Sequence, residues 1–326
     1  MSKKLSVAIP TYNRVVYLKE CIQSVLNQTF EDFSVFVFDN ASDESVEEEL
    51  KKFADDRIHF IRNDKNAGEE GHLNRILGYP FESEYLVMFH DDDAMHPKML
   101  EMETSFLDAH NDAVFVGTDF KRVFAKDLHV FADIAEEAVR YAVYKDSTAF
   151  VRAEMSWVRC SFSSVMYCVK AIGDARMNPK RFSDFADIAL LAEISRKGVT
   201  AFIEVPLMNY RIHAGQYSEL QKEGYEQGAL ELLSFFRESF PAVLSREDDK
   251  LFRSYSLNFL FRTYAHMGKS FFAFLKFFQK CRQQKVIAWS DIRHIDRRGA
   301  VSLSSIILGN RKVIDIARWL RNRFRS

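Results

Sequence analysis

Short apolar runs alternate with stretches of helical spacing through the first half of the chain, and this alternation restricts the fold more than any other feature. Leu5 to Ile9, Ser34 to Phe38, Ile58 to Ile61 and Tyr85 to Phe89 have the length and composition of strands. Between them, Val15 to Asn27, Ser45 to Ala54 and Glu69 to Leu77 gather apolar residues on one helical face. Strand-helix-strand repeats of this kind predict an α/β fold, a mostly parallel sheet with helices on its faces. Ala113 to Gly117, Ser164 to Cys168 and Ala201 to Val205 read as further strands. Asp187 to Lys197 reads as a helix stopped by Gly198 in a left-handed conformation.

The pattern changes near Gln216, beyond which strand signals give way to helical, aromatic and basic sequence. Residues 252 to 278 hold eight of the 30 phenylalanines, and residues 281 to 326 hold 11 Lys/Arg against three Asp. A division into residues 1–215 and a helical region 216–326 follows, which suits 326 residues, about twice a typical domain. The whole chain carries a formal charge of −1, so no global basic field exists for non-specific nucleic-acid binding, and no nucleic-acid partner is expected. Cys21, Cys160, Cys168 and Cys281 lack zinc-ligand or disulfide-framework spacing and read as buried thiols of a reducing compartment. The first residues lack a long apolar core and a cleavage site, and no apolar run approaches the roughly 18 residues of a membrane span. A cytoplasmic location is expected.

In an open α/β sheet, ligands bind beyond the carboxyl ends of the strands. Three such ends are rich in polar groups: Pro10-Thr11-Tyr12-Asn13-Arg14, Asp39-Asn40-Ala41-Ser42 and His90-Asp91-Asp92-Asp93. Neither a GxGxxG nor a GxxxxGK[ST] pattern is present, which disfavours dinucleotide and P-loop sites. Three consecutive carboxylates after Leu86-Val-Met-Phe89 repel one another unless a cation sits among them. Oxygen ligands point to magnesium or manganese, whose open positions take substrate phosphates. The same acids also suit a solvated turn entering a helix near Pro97.

Together these segments resemble family 2 glycosyltransferases of the nucleotide-sugar-binding GT-A fold. The matching segments, in the family's order, are Val7 to Arg14, Val37 to Asp43, Asn66-Ala-Gly68 with Asn74, Leu86 to Pro97, and Tyr210-Arg-Ile-His213, over roughly residues 4 to 215. The resemblance implies a Rossmann-like mixed sheet flanked by helices, with Pro10, Thr11 and Tyr12 lining a nucleobase pocket. Arg14 and Asn66 belong to the nucleotide site, and Asp39 accepts from the base or a ribose hydroxyl. Asp91, Asp92 and Asp93 form the DxD region, with Asp91 and Asp92 near the nucleotide and Asp92, Asp93 and His213 as the metal ligands, or His213 instead as a donor to the leaving phosphate. The family often begins this motif with Asp, where this chain has His90. Arg75, His72 and His90 flank the site without a distinguishing feature.

An inverting transfer also needs a carboxylate base. Family members commonly place it in a Glu-Asp pair opening a helix that ends in Lys-Gly, which assigns Asp187, with Asp184 as the competitor. Ala186 stands where Glu is usual. The implied activity moves a sugar from a nucleotide donor, with UDP-sugars first in line, to a hydroxyl of a glycan or lipid-linked glycan in cell-surface polysaccharide synthesis. A metal-dependent nucleotidyltransferase or phosphohydrolase and a non-catalytic sugar-nucleotide binding module remain as alternatives.

Lys312 to Phe324 sets Val313, Ile316, Ala317, Leu320 and Phe324 on one face, with basic residues over the rest. This suits either a peripheral helix attracted to anionic lipid at the inner face of the membrane or a helix packed on the protein or on a second copy in a homodimer.

Overall fold

A computed structural model of the chain describes residues 3–135, 139–156, 161–213, 224–240, 256–258, 260–261 and 271–283. The chain divides into two compact units. The first takes residues 1–150, 159–178 and 190–216, and the second takes 151–158, 179–189 and 217–326.

The first unit is built on a mixed sheet. Its strands are β1 (Leu5–Thr11), β2 (Phe33–Asp39), β3 (Ile58–Arg62), β4 (Tyr85–Met88), β5 (Ala94–Met95), β6 (Ala113–Val123), β7 (Tyr141–Tyr144), β8 (Val165–Cys168) and β9 (Val199–Arg211). They lie in the order β3-β2-β1-β4-β8-β6-β9-β5, with β7 also on β9. Strands β1 to β4 run parallel, β8 is antiparallel to both β4 and β6, and β6 is parallel to β9. The sheet thus has the expected parallel start and a mixed remainder. Beyond the expected strands lie the two-residue β5 and the short β7, both held by pairing to β9.

The first connections are helical: α1 (Val15–Leu26), α2 (Val46–Lys51), α3 (Gly68–Leu77) and, after the acidic turn, α4 (Met99–Ala109). Val15, Leu18, Cys21, Ile22 and Val25 recur at three- and four-residue intervals and are the apolar buried side chains of α1. Glu44 Oε2 accepts from the Val15 backbone N–H at 3.2 Å, meeting one of the donors that a helix start leaves open. Along β2 the side chains alternate between faces. Phe33, Val35 and Val37 enter the main apolar core, while Phe36 and Phe38 meet Tyr79 and Phe81 in an aromatic cluster.

Gly198 departs from expectation. The helix Ala186–Ser195 ends before it, and Gly198 is not among the left-handed glycines. Its small size is needed because a Cβ there would lie 2.4 Å from the Asp112 carbonyl oxygen and 2.7 Å from Val114 Cγ1. Close approach to the neighbouring segment, rather than a turn, selects glycine here.

In the second unit the helix Tyr225–Ser239 packs Phe235 edge-on to Phe182 at 5.4 Å, and Tyr225 lies 4.7 Å from Phe185 between ring centroids. A further helix, Phe271–Gln283, buries Phe277, Phe278 and Cys281, and Phe278 stacks on Phe261. The helical, aromatic character expected beyond Gln216 is therefore present in these segments. Residues 284–326, including the expected basic helix, lie outside the described residues. Cys21, Cys168 and Cys281 are free thiols, and Cys160 also lies outside the described residues. Among the described residues, no helix is long and apolar enough to cross a membrane.

Candidate active site

Because β1, β2 and β4 are parallel neighbours, their carboxyl ends open on the same edge of the sheet. Thr11 pairs in register with Asp39, and Ala8 with Met88, which brings the turn after β4 beside the end of β1. Thr11 Oγ1 donates to Asp91 Oδ2 at 2.7 Å. Asn13, with a positive φ of 52°, lets the chain turn into α1 and ties this loop to the one after β2. Its backbone N–H donates to Ser42 Oγ at 2.9 Å, and its side chain exchanges hydrogen bonds with Asp43.

The acidic turn is the electrostatic centre of the site. Arg14 Nη1 lies 3.0 Å from Asp92 Oδ2 and 3.4 Å from Asp91 Oδ1, and His213 Nε2 is 3.0 Å from the same Asp92 oxygen. Burial opposes the charge on Asp92, but His90, His213 and Arg14 outweigh it and hold the carboxyl below its ordinary range. Asp91 is pushed up to about 7 by burial and by the neighbouring Asp92 charge, against the pull of Arg14 and Thr11. Asp93, fully buried, is raised well above the ordinary range for the same two reasons. Its Oδ1 accepts from the Arg211 backbone N–H at 3.0 Å and its Oδ2 from Ser163 Oγ at 3.4 Å. Among the described residues, no Lys or Arg pairs with it.

The donor set therefore fits a divalent cation. His90, Asp92 and Asp93 each offer a ligand atom, and these atoms all lie within 4.8 Å of one another. Of the expected ligands Asp92, Asp93 and His213, the first two are in this group, and His213 joins it through its hydrogen bond to Asp92. A cation would relieve the repulsion that raises Asp91 and Asp93. Burial lowers the pKa of His90, partly offset by Asp92, so its ring is neutral and able to ligate at neutral pH.

The distant end of β9 reaches this turn through its pairing with β5. Ala94 pairs with Asn209 and Met95 with Met208, which carries Arg211 over the turn. Arg211 is 1% exposed, donates from Nε to the Asp92 carbonyl at 2.7 Å, and forms an ion pair with Glu20 at 2.5 Å. Its guanidinium sits 4.6 Å from the centre of the Tyr17 ring, which in turn packs 4.7 Å from His213. Sequence reading included Arg211 in its motif but gave it no role, and it missed Tyr17, Glu20 and Ser163 altogether. Tyr17 and Glu20 share one face of α1, yet no local pattern separates them from ordinary surface positions.

Around the expected nucleobase pocket, Thr11 is buried and Tyr12 is exposed, with Pro10 between these extremes. The Asp39 carboxylate is occupied: its Oδ1 accepts from the Ser42 N–H at 3.0 Å, and Oδ2 pairs with Arg62 Nη1. Asn66 Oδ1 accepts from Asn40 Nδ2 at 3.0 Å and from the Gly68 N–H at 2.8 Å, closing the Asn-Ala-Gly turn. Arg75 and His72 belong to the polar layer beneath it, Arg75 on Asn63 Oδ1 and His72 between Asn63 and the Phe38 carbonyl. Asp184 lies in the short turn Ser183–Phe185, and Asp187 in the first turn of the helix Ala186–Ser195, with its Oδ1 on the Ile188 N–H at 2.7 Å. Both acids belong to the second unit.

Residues 6–162 match the family model described as glycosyl transferase family 2. The match covers just under half of the chain and includes the acidic turn. A glycosyltransferase of Rickettsia bellii, itself described as uncharacterized, is 27% identical over 238 residues, covering 71% of this chain and 32% of the relative. A Campylobacter jejuni GalNAc(5)-diNAcBac-PP-undecaprenol beta-1,3-glucosyltransferase is 40% identical over 96 residues, 28% of this chain and 30% of the relative. The matched part of the chain thus spans about a third of the length of each of these two relatives.

Among solved structures, Staphylococcus aureus TarS 1-349 in complex with UDP-GlcNAc has a TM-score of 0.61 at 16% identity, covering 99% of this chain and 91% of that one. The mannosyltransferase PcManGT of Pyrobaculum calidifontis, solved with GDP-Man and Mn2+, has a TM-score of 0.53 at 12% identity, covering 100% and 81%. The chain has the GT-A fold.

Proposed function

We propose that the chain transfers a sugar from a nucleotide-diphosphate donor to a hydroxyl of a glycan or lipid-linked glycan, with inversion and with a divalent cation at the acidic turn. The observation that carries this reading is Asp93, a fully buried carboxylate beside Asp92 with no Lys or Arg partner among the described residues. A cation held by Asp92, Asp93 and His213 would supply positive charge for the departing diphosphate. Solved neighbours bound to UDP-GlcNAc and to GDP-Man with Mn2+ support the donor class and the cation, and the undecaprenol-linked substrate named for the Campylobacter relative supports the acceptor class.

The residues of this chain divide the remaining work. Arg14, which pairs with Asp92, would donate to a diphosphate oxygen, and His213 would do so only in place of its role as a ligand. Thr11, Tyr12 and Asp39 border the base and ribose, with Arg62 setting the charge of that pocket. In the transfer, the acceptor oxygen forms its bond to the anomeric carbon as the bond from that carbon to the diphosphate oxygen breaks. Its proton passes to the carboxylate of Asp187, with Asp184 as the alternative base. The inverting course and the choice of base rest on the family resemblance. Association of 300–326 with a membrane surface, dimer formation and a cytoplasmic setting are further parts of the same reading.

A thermal-shift screen of UDP-, GDP-, dTDP- and CMP-sugars with and without Mn2+ tests the donor site, since a specific ligand raises the melting temperature by mass action. A donor-specific shift that needs the cation is expected, lost in Asp93→Asn and kept in Asp187→Asn. Asp187→Asn should abolish turnover at nearly unchanged donor affinity. The absence of a shift with every donor would overturn the reading.

A further inference from the structure

We propose that His90 is a nitrogen ligand of the cation at the acidic turn, and that this imidazole gives the site a preference for manganese and its transition-metal neighbours over magnesium. The inference rests on the proposed cation site and specifies its chemistry.

The ligand atoms of His90, Asp92 and Asp93 already cluster within 4.8 Å, with His90 Nδ1 3.7 Å from Asp93 Oδ2. In an octahedral shell with bonds of about 2.1 Å, neighbouring ligands are roughly 3.0 Å apart and opposite ones roughly 4.2 Å. The His90 to Asp93 spacing falls between those limits, so both side chains can reach one ion by small rotations. The backbone holds His90 in place, because Cys21 Sγ donates to its carbonyl at 3.3 Å from inside α1. Asp93 Oδ1 is committed to the Arg211 N–H, and Oδ2, which also accepts from Ser163 Oγ at 3.4 Å, is the oxygen 3.7 Å from the imidazole.

An Asp at position 90 would make the three-residue cluster entirely oxygen. Magnesium suits such a set, since it is hard, strictly octahedral and slow to exchange water for nitrogen. Imidazole suits first-row transition metals, whose affinity for nitrogen donors rises across the series from manganese. An imidazole also brings no negative charge where a carboxylate would, which weakens binding of every divalent cation but costs magnesium more, because it gains least from the nitrogen.

The test uses the full chain loaded with Mn2+ alone, read by pulsed electron paramagnetic resonance for coupling to 14N, and by competition of Mg2+ against Mn2+. Nitrogen coupling is expected in the wild type and in His213→Gln, where His90 is the remaining proposed nitrogen ligand. His90→Asp is expected to lower the Mn2+ to Mg2+ affinity ratio by tenfold or more. Absence of 14N coupling in manganese-bound His213→Gln, or an unchanged ratio in folded His90→Asp, would overturn the role of His90 while leaving the cation site standing. Failure of the wild type to bind either ion would overturn both this inference and the proposed cation. The spectroscopic and competition arms use different variants, so a folding failure in one leaves the other decisive.

Discussion

Arg211 donates from Nε to the backbone carbonyl of Asp92 at 2.7 Å, fastening the end of β9 to the acidic turn across 119 residues of sequence. The same residue's backbone N–H holds the Asp93 carboxylate, and its guanidinium is paired with Glu20 behind the turn. Two of the three acids are thus held by one residue, Asp93 through its backbone N–H and the Asp92 carbonyl through its guanidinium.

Arg211→Lys keeps the charge but loses the planar fork that reaches Asp92 and Glu20 together. Removing one member of a fully buried pair costs about 3–5 kcal/mol, but Glu20 is 43% exposed and solvent screens its side of the pair. A loss of about 2 kcal/mol in urea unfolding is expected, together with weaker Mn2+ binding. Unchanged stability and unchanged Mn2+ affinity would show that the turn holds its shape without Arg211.

His72 is buried and neutral, donating from Nε2 to the Phe38 carbonyl while its Nδ1 accepts from Asn63. Burial lowers its pKa from 6.5 to about 4. The sign follows directly: the folded state resists protonation, so this stabilisation is complete above pH 6.5 and fades as the pH falls towards 4. The full amplitude is roughly 3 kcal/mol. Unfolding free energies of the wild type and His72→Gln between pH 7.5 and 4.5 should converge as the pH drops; parallel curves would contradict the assignment.

Glu103 lies on α4 with Leu100 and Phe106 in the buried stripe, is 0% exposed, and among the described residues neither carboxyl oxygen has a hydrogen-bond partner. Burial alone holds its pKa well above the ordinary value. An acid raised in this way contributes most to stability below its unfolded pKa and progressively less as pH rises, so its cost is greatest at neutral and alkaline pH. Glu103→Leu should therefore stabilise the fold by about 1–3 kcal/mol at pH 7.5 and by less at pH 5, as measured by chemical denaturation. A destabilised Glu103→Leu would mean that the carboxyl has a use in the folded state.

Two glycines separate steric from conformational need. Gly198→Ala forces a Cβ against the Asp112 carbonyl and Val114, so a loss of about 1–3 kcal/mol is expected. Gly68 has a φ of 70° with open space around the Cβ position, so Gly68→Ala should cost only about 1 kcal/mol, the cost of the left-handed backbone. Thermal melts of the two variants give the comparison, and equal losses would remove the distinction.

The strand-helix alternation made β1, β2, β3 and β4 readable with small shifts at their ends, because a buried parallel strand must be an apolar run and its crossover helix must carry an apolar stripe. Strand β5, with two residues, and β7, with four, were unreadable for the opposite reason: each depends on a partner in β9 rather than on a pattern of its own. Gly198 was read as a helix terminator because its neighbours look like a helix end, while the actual demand came from Asp112, more than 80 positions away.

Local chemistry alone determined the parallel opening of the sheet, the polar strand ends and the acidic turn after β4, since strand periodicity and like-charge repulsion act between near neighbours in sequence. The tertiary structure decided that Arg211 braces that turn, that Arg62 occupies Asp39, that His90 joins Asp92 and Asp93 within reach of one ion, and that Glu103 is buried without a partner among the described residues. These depend on which distant side chains share a low-dielectric space, and no spacing along the chain encodes that.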